Sequence, residues 1–289
     1  MRPLFLMTGA AASWGVATVT TKVALAQLAP LDLFAIEAGT ASVVLWACLF
    51  LRGQIGRPHG WRAFAVLGLL NPALSFVLFD LGLTRTGAAD GALLLASDAV
   101  ISALLAWAAL GERLTRIGWA ALAAGTAGAA LVTLQAGGHN ASLVGDALVL
   151  GSAATAAAYG VGARRFAAET DALVATGIQV LTASALAVPL LAFAAASGHS
   201  QLEHVDASHL GLAAATGVLG GALPFLLFNQ AIRDMTVVSS ALITNLVPLL
   251  GAALAIGVLG ERLAGIQLVG GALVVAAAFA CSSASGELA

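Results

Sequence analysis

Charge is what this chain has least of. Of its 289 residues only 9% are Asp, Glu, Lys or Arg, against 60% hydrophobic. A soluble domain carries about 25% charged residues. So little charge cannot clothe a water-facing surface, which excludes an ordinary soluble globule and leaves lipid as the solvent. The net charge of -2 shows no basic face, which argues against a nucleic-acid partner. Cysteine is nearly absent too. Cys48 and Cys281 both lie in apolar runs, so no disulfide framework is implied. Tyrosine occurs once, at Tyr159.

Absences also bound the chemistry. All five histidines, His59, His139, His199, His204 and His209, fall outside the apolar runs. No Ser–His pair and no His-bearing metal cluster can then form at membrane depth. The loop histidines at 199, 204 and 209 repeat every five residues, which is not a ligand face on a helix. No Gly-rich phosphate loop marks a nucleotide-driven pump. No metal or cofactor is expected.

What is present is a series of apolar runs long enough to cross a bilayer, which takes about 20 residues per helix. Charges, Pro and Gly divide them into ten expected spans: 3–22, 31–51, 61–82, 88–109, 117–135, 145–163, 173–195, 210–231, 237–258 and 265–282. The fold class is therefore an all-α membrane protein of ten transmembrane helices. Arg2, an apolar stretch and Ala10-Ala11-Ala12 have the outline of a signal peptide. A retained first span is expected instead, because its Trp14-Gly15 has a counterpart in the second half. With the N-terminus inside, Arg2, Arg52, Arg57, Arg62, Arg113, Arg116, Arg164, Arg165 and Arg233 fall on the inner side, and Lys22, Arg85 and Arg262 on the outer. That is a positive-inside bias for a bacterial inner membrane with both termini cytoplasmic. Trp61, Trp107 and Trp119 fall at the inner interface, as an aromatic belt requires.

The strongest signal is an internal repeat. Gly111-Glu112-Arg113-Leu114 recurs 149 residues later as Gly260-Glu261-Arg262-Leu263. The same offset lays Phe76, Phe79 and Asp80 on Phe225, Phe228 and Asn229. Trp14-Gly15 matches Tyr159-Gly160 at 145, and Thr40-Ala41-Ser42 matches Thr182-Ala183-Ser184 at 142. Each half, 1–140 and 141–289, holds five spans. Five is odd, so the second half enters the membrane inverted. Inverted repeats are a transporter architecture, with the substrate site between the repeats near the midplane.

Ser13-Trp14-Gly15, the paired Gly-Glu-Arg-Leu blocks and Asn245-Leu246-Val247-Pro248 together resemble the EamA-type members of the drug/metabolite transporter superfamily, and among these the YddG-like amino-acid exporters. The resemblance implies alternating access and export of amino acids or related metabolites. The chain departs from the pattern where Ala96 and Ala99 stand at the positions matching Asn245 and Pro248.

Several residues stand out as candidates, each with a plainer structural reading beside it. Asp98 lies roughly 15 Å into its span, near the bilayer centre. It is a substrate-ammonium or proton site, or a buried contact between helices. Glu37, roughly 9 Å deep, is the other proton-coupling candidate, unless it reaches the outer interface. Pro248 frees the carbonyl four residues back, at Thr244, beside Asn245. That break presents polar groups to substrate, or is re-satisfied by neighbouring helices. Phe79, Asp80, Phe228 and Asn229 line a cavity or pack as core. Trp14 and Tyr159 each carry a polar tip that needs a partner inside a membrane. The two Glu-Arg pairs sit at span ends, where they fix helix ends and loops.

The expected function is a secondary transporter exporting small neutral or zwitterionic metabolites, amino acids with aromatic or other apolar side chains foremost. None of the 12 Lys and Arg residues falls at mid-depth, as a carrier of phosphorylated solutes would require. An intramembrane enzyme, or a transporter of drug-like cations, nucleosides or sugars, is the alternative. The partners are a small-molecule substrate and membrane lipid.

Overall fold

The computed structural model describes residues 2–54, 56, 60–110, 116–134, 142–166, 170–234, 243–244 and 246–286. Its regular elements are helices, with no strand among the described residues. In chain order they are α1 (Arg2–Ala24), α2 (Pro30–Leu51), α3 (Trp61–Gly68), α4 (Ser75–Leu83), α5 (Ala88–Leu95), α6 (Ser97–Leu110), α7 (Arg116–Leu134), α8 (Leu143–Phe166), α9 (Ala172–Ala196), α10 (Ala207–Thr216), α11 (Leu223–Ala231), α12 (Leu246–Leu259) and α13 (Gly265–Gly286). A π-helical turn, Leu69–Leu74, joins α3 to α4, and a second, Gly217–Ala222, joins α10 to α11.

Six helical stretches are long and apolar enough to cross a membrane: Arg2–Ala24, Pro30–Leu51, Trp61–Leu83, Leu143–Ala163, Ala172–Ala196 and Ala207–Ala231. Leu246–Leu259 and Gly265–Ala277 are shorter apolar helices. The surface is inverted relative to a soluble protein. Leu51, Phe5 and Val43 are 83%, 74% and 71% exposed. Inside lie Thr18, Thr21, Glu37, Asp80, Gln179 and Asn229, all buried. An apolar exterior around a polar interior is what a lipid-solvated bundle requires. Trp61, Trp107 and Trp119 are also exposed, and the last two rings stack edge-on at 5.3 Å. The protein is a multi-pass membrane protein.

The packing is paired. Helix α1 lies on α11 and α12, while α8 lies on α4 and α6. Helix α2 meets the π turn at Gly217–Ala222, while α9 meets the π turn at Leu69–Leu74. Helix α2 also packs on α9, and α7 on α13. Each contact has its counterpart with the two halves of the chain exchanged. The close approaches depend on glycine. A Cβ on Gly217 would lie 2.6 Å from the Glu37 carbonyl oxygen, and one on Gly68 would lie 2.7 Å from the Gln179 Cα. Between helices in lipid, backbone proximity of this kind replaces the hydrophobic drive of water.

Both π turns coincide with proline, though not in the same way. Pro72 lies inside the first turn, and Asn71 before it is extended (φ -148, ψ 121), the region a following proline favours. Pro224 follows the second turn. It has no N–H, so the carbonyls of Gly220 and Leu219, four and five residues back, lose their helical donor. Both are met from α1. Trp14 Nε1 donates to the Gly220 oxygen at 3.0 Å, and Ser13 Oγ to the Leu219 oxygen at 2.5 Å. Ser13-Trp14 thus repairs in trans what Pro224 removes.

The fourth span breaks at Ala96 without a proline: α5 ends at Leu95 and α6 begins at Ser97. The Ala96 N–H bonds back three residues to Leu93 at 3.2 Å rather than four. In the ninth span Pro248 is buried within α12. Asn245 lies outside the described residues.

Candidate functional site

Four polar side chains converge among α8, α9 and α11. Asn229 Nδ2 donates to Thr176 Oγ1 at 2.9 Å and to Gln179 Oε1 at 3.1 Å. The Tyr159 hydroxyl lies 3.3 Å from Asn229 Oδ1 and 3.4 Å from Gln179 Oε1. Thr176 in turn donates to the Ala172 carbonyl at 2.7 Å. All four residues are buried. Helical periodicity sets the arrangement: Thr176 and Gln179 are three residues apart on one face of α9.

Aromatic rings close over this cluster. The Phe225 ring stands edge-on to Trp14 at 5.3 Å and to Tyr159 at 5.9 Å, and Phe228 lies 5.9 Å from Trp14. Phe76 reaches Phe225 from the other half of the chain at 6.1 Å. Such a site offers hydrogen-bond donors and acceptors on one side and aromatic faces on the other. A cavity of 10 Å³ adjoins it, lined by Phe64, Leu67, Ala163, Thr170, Ala172, Ala175, Gln179 and Asn229. It has room for about one water.

The structure therefore brings together Trp14, Tyr159, Phe228 and Asn229 of the residues singled out in the sequence. It does not bring all of them there. Phe79 packs with Leu94, Val149 and Val274. Asp80 lies within electrostatic reach of Glu37 instead, and its Oδ2 has no hydrogen-bond partner among the described residues. Glu37 Oε1 accepts from Thr21 Oγ1 at 3.2 Å, and Glu37 is buried. Asp98, in the first turn of α6, accepts from Ser102 Oγ at 3.3 Å. Thr244 lies one residue before the undescribed Asn245.

Two residues of the cluster, Thr176 and Gln179, escape a sequence reading that looks for charge and aromatics. Gln179 carried a signal: the offset of 142 that matches Ser42 to Ser184 also matches Glu37 to Gln179.

The second Gly-Glu-Arg-Leu block has a definite job. Glu261 accepts from the N–H groups of Ala88 and Ala89 at 2.9 and 2.8 Å. Its carboxylate thus caps the positive end of α5. Lys22 lies within its electrostatic reach, and Lys22 Nζ donates to the Leu83 and Thr86 carbonyls at 2.5 and 2.6 Å. Glu112 and Arg113 of the first block lie outside the described residues. On the same side, Asp32 ties down the loop after α9, accepting from Ser200 Oγ at 2.9 Å and Gln201 N–H at 2.7 Å.

The profile of the EamA-like transporter family matches the chain twice, over residues 1–134 and 143–283. This chain belongs to the EamA-like transporter family. An uncharacterized transporter from Synechocystis sp. is 26% identical over 275 residues, covering 89% of this chain and 82% of that protein. A probable terminal-alkyne amino-acid exporter from Streptantibioticus cattleyicolor is 29% identical over 212 residues, covering 73% and 70%. A solved crystal structure superposes with a TM-score of 0.68 at 18% identity, covering 99% of this chain and 98% of that one. That last likeness concerns the fold.

Proposed function

We propose that this EamA-like transporter is a secondary exporter of small zwitterionic solutes, amino acids with apolar or aromatic side chains foremost. The observation that carries this reading is the buried Tyr159–Gln179–Asn229–Thr176 cluster roofed by Trp14, Phe225 and Phe228. Neutral amide and hydroxyl groups can exchange their mutual hydrogen bonds for those of an ammonium and a carboxylate, while aromatic faces take an apolar side chain. The relative named as an amino-acid exporter supports the same class.

The reading includes alternating access between two inverted five-helix repeats, 1–140 and 141–289. Three observations support it. The family profile matches once in each half. The π turns recur 148 residues apart, and helix contacts come in exchanged pairs. The 10 Å³ cavity is far too small for an amino acid, so loading needs the helices to separate. On the sequence's charge asymmetry, the termini face the cytoplasm of a bacterial inner membrane.

The test is counterflow in reconstituted vesicles with a panel of labelled solutes: apolar, aromatic and charged amino acids, a nucleoside, a sugar and a quaternary amine. Apolar or aromatic amino acids should exchange faster than in empty vesicles, and Asn229→Ala should cut that rate at least tenfold. Exchange of the nucleoside, sugar or amine with no amino-acid flux would overturn the substrate class.

A further inference from the structure

At one matched pair of positions the two halves differ in charge. In the second half Gln179 of α9 and Asn229 of α11 are hydrogen-bonded at 3.1 Å. Their counterparts in the first half, at offsets of 142 and 149, are Glu37 of α2 and Asp80 of α4. The backbone settings correspond as well. Gly68 presses on the Gln179 backbone, and Gly217 presses on the Glu37 backbone. Where one half carries two amides, the other carries two acids.

The acids are 2% and 1% exposed. Helix α2 packs on α4, which brings Asp80 within electrostatic reach of Glu37, and Glu37 Oε1 accepts from Thr21 Oγ1 at 3.2 Å. The charged and titratable groups on the packed elements do not neutralise them. Lys22 of α1 is turned to the Leu83 and Thr86 carbonyls, with Glu261 as its electrostatic partner. Asp90 of α5 is held by Gln267 Nε2 at 3.0 Å. His209 of α10 pairs with Asp206. Asp146, in the first turn of α8, is an electrostatic neighbour of Asp90. The arginines of α8, Arg164 and Arg165, stand at its opposite end in sequence, and α9 carries no charged residue. Among the described residues neither acid has an ion pair, and Asp80 Oδ2 has no hydrogen-bond partner. Two dehydrated carboxylates within electrostatic reach of each other, with no cation paired to either, are not sustainable in a membrane interior. A proton taken up by either acid removes one of the two charges, and the unpartnered Asp80 Oδ2 is an oxygen free to carry it.

We propose that Glu37 and Asp80 together hold one exchangeable proton, and that the protein couples solute movement to proton movement through this pair. The coupling rests on the transporter reading above; the proton site does not. When the bundle opens, water reaches the pair, the O–H bond breaks, and the proton leaves to the more alkaline side. When it opens the other way, a proton from the more acidic side restores the O–H bond before the pair is buried again.

The site is tested without any substrate. Protein reconstituted in lipid is followed by pH-difference infrared spectroscopy, reading the C=O stretch of a protonated carboxyl and its shift in heavy water. The expected result is a wild-type band present at neutral pH and missing from Glu37→Gln/Asp80→Asn. That variant should fold, because the same amide pair already packs in the other half; size-exclusion profile and thermal midpoint verify it. Each single variant should displace the band. Identical spectra for wild type and double variant, or a band that sodium abolishes at constant pH, would overturn the proposal. Coupling is read separately, on whichever solute the panel identifies. An imposed pH gradient should drive its flux in wild type and not in the double variant. If the band behaves as expected but the gradient leaves wild-type flux unchanged, coupling falls while the transporter reading stands. If no solute moves, the transporter reading falls and the proton site stands.

Discussion

The hydroxyls of Ser42 and Ser184 lie 2.8 Å apart, and these two residues are each other's counterparts in the repeat. In the inverted-repeat arrangement proposed above, a residue that touches its own mate sits on the axis relating the two halves. Helices α2 and α9, which carry them, pack along this line. Cysteines at both positions should therefore join across the axis. In a background with Cys48 and Cys281 replaced by Ala, Ser42→Cys/Ser184→Cys should form a disulfide under mild oxidation, since side chains this close suit disulfide reach. The readout is a linked pair of fragments after proteolysis in the connection between the halves. Fragments that separate on a non-reducing gel would remove the axis from this place.

Glu261 should matter as a helix cap. Its carboxylate serves the Ala88 and Ala89 N–H groups at the start of α5. Glu261→Ala leaves both donors and the helix dipole unmatched, a loss of about 1–2 kcal/mol. Glu261→Gln should lose less, since the amide oxygen still accepts. Thermal unfolding in detergent compares the three proteins. An unchanged midpoint for the Ala variant would mean that water replaces the carboxylate without cost.

Gly68 and Gly217 should tolerate no side chain. An added Cβ at Gly217 would fall 2.6 Å from the Glu37 carbonyl oxygen, and backbone cannot swing aside as a long side chain can. Gly217→Ala should cost about 1–3 kcal/mol, as overpacking does. Gly39, which has nothing within 4 Å, is the control. Its Ala variant should be neutral or slightly stabilising, because helical Ala is favoured over Gly. Equal midpoints for the two variants would contradict the close approach.

Much of this was legible in the sequence, for reasons that particular residues make plain. Helix ends follow charge and Gly/Pro breaks, so α2 was expected at 31–51 and is found at Pro30–Leu51. Trp14 and Tyr159 stood out because an indole N–H and a phenol need partners in lipid, and both have them. The π turns were not legible. Gly217–Ala222 carries no local signal for five-residue bonding, which arises from Pro224 beyond it and from α1 supplying the missing donors. Nor was the parting of Asp80 from Asn229. The repeat gives them one address, but side-chain chemistry in each half chooses different company.

Asp206 makes a pH-dependent helix cap. It begins α10 and accepts from Ser208 Oγ at 2.6 Å and from the His209 N–H at 2.9 Å. The Ser208 bond first, then those of His209, hold its carboxyl below the usual carboxylate range. A depressed folded value means the stabilisation is complete above the unfolded carboxylate range and fades as pH falls towards the folded value. Amide exchange at residues 208–210 should stay slow on acidification to ordinary carboxylate values and quicken only below them. In Asp206→Asn that acid dependence should vanish. Quickening already near neutral pH would remove Asp206 from this role.

The last prediction concerns Trp14 and Pro224 as a unit. Pro224 withdraws a backbone donor, and Trp14 Nε1 supplies one to the Gly220 carbonyl that is left over. Trp14→Phe keeps an aromatic ring against Phe225 and Phe228 but removes the N–H. That leaves a carbonyl without its partner inside the bundle, at a cost of about 1–3 kcal/mol. Pro224→Ala restores a backbone N–H at 224, so the helix can satisfy the Gly220 or Leu219 oxygen by itself. The indole then becomes redundant. In Pro224→Ala, the further change Trp14→Phe should cost much less than it does in wild type. The double-mutant cycle reads this as a coupling of about 0.5–2 kcal/mol between residues 210 positions apart in sequence. Additive losses in thermal unfolding would mean that Trp14 stabilises through ring packing alone. The hydrogen bond would then have no part in holding α1 against the π turn.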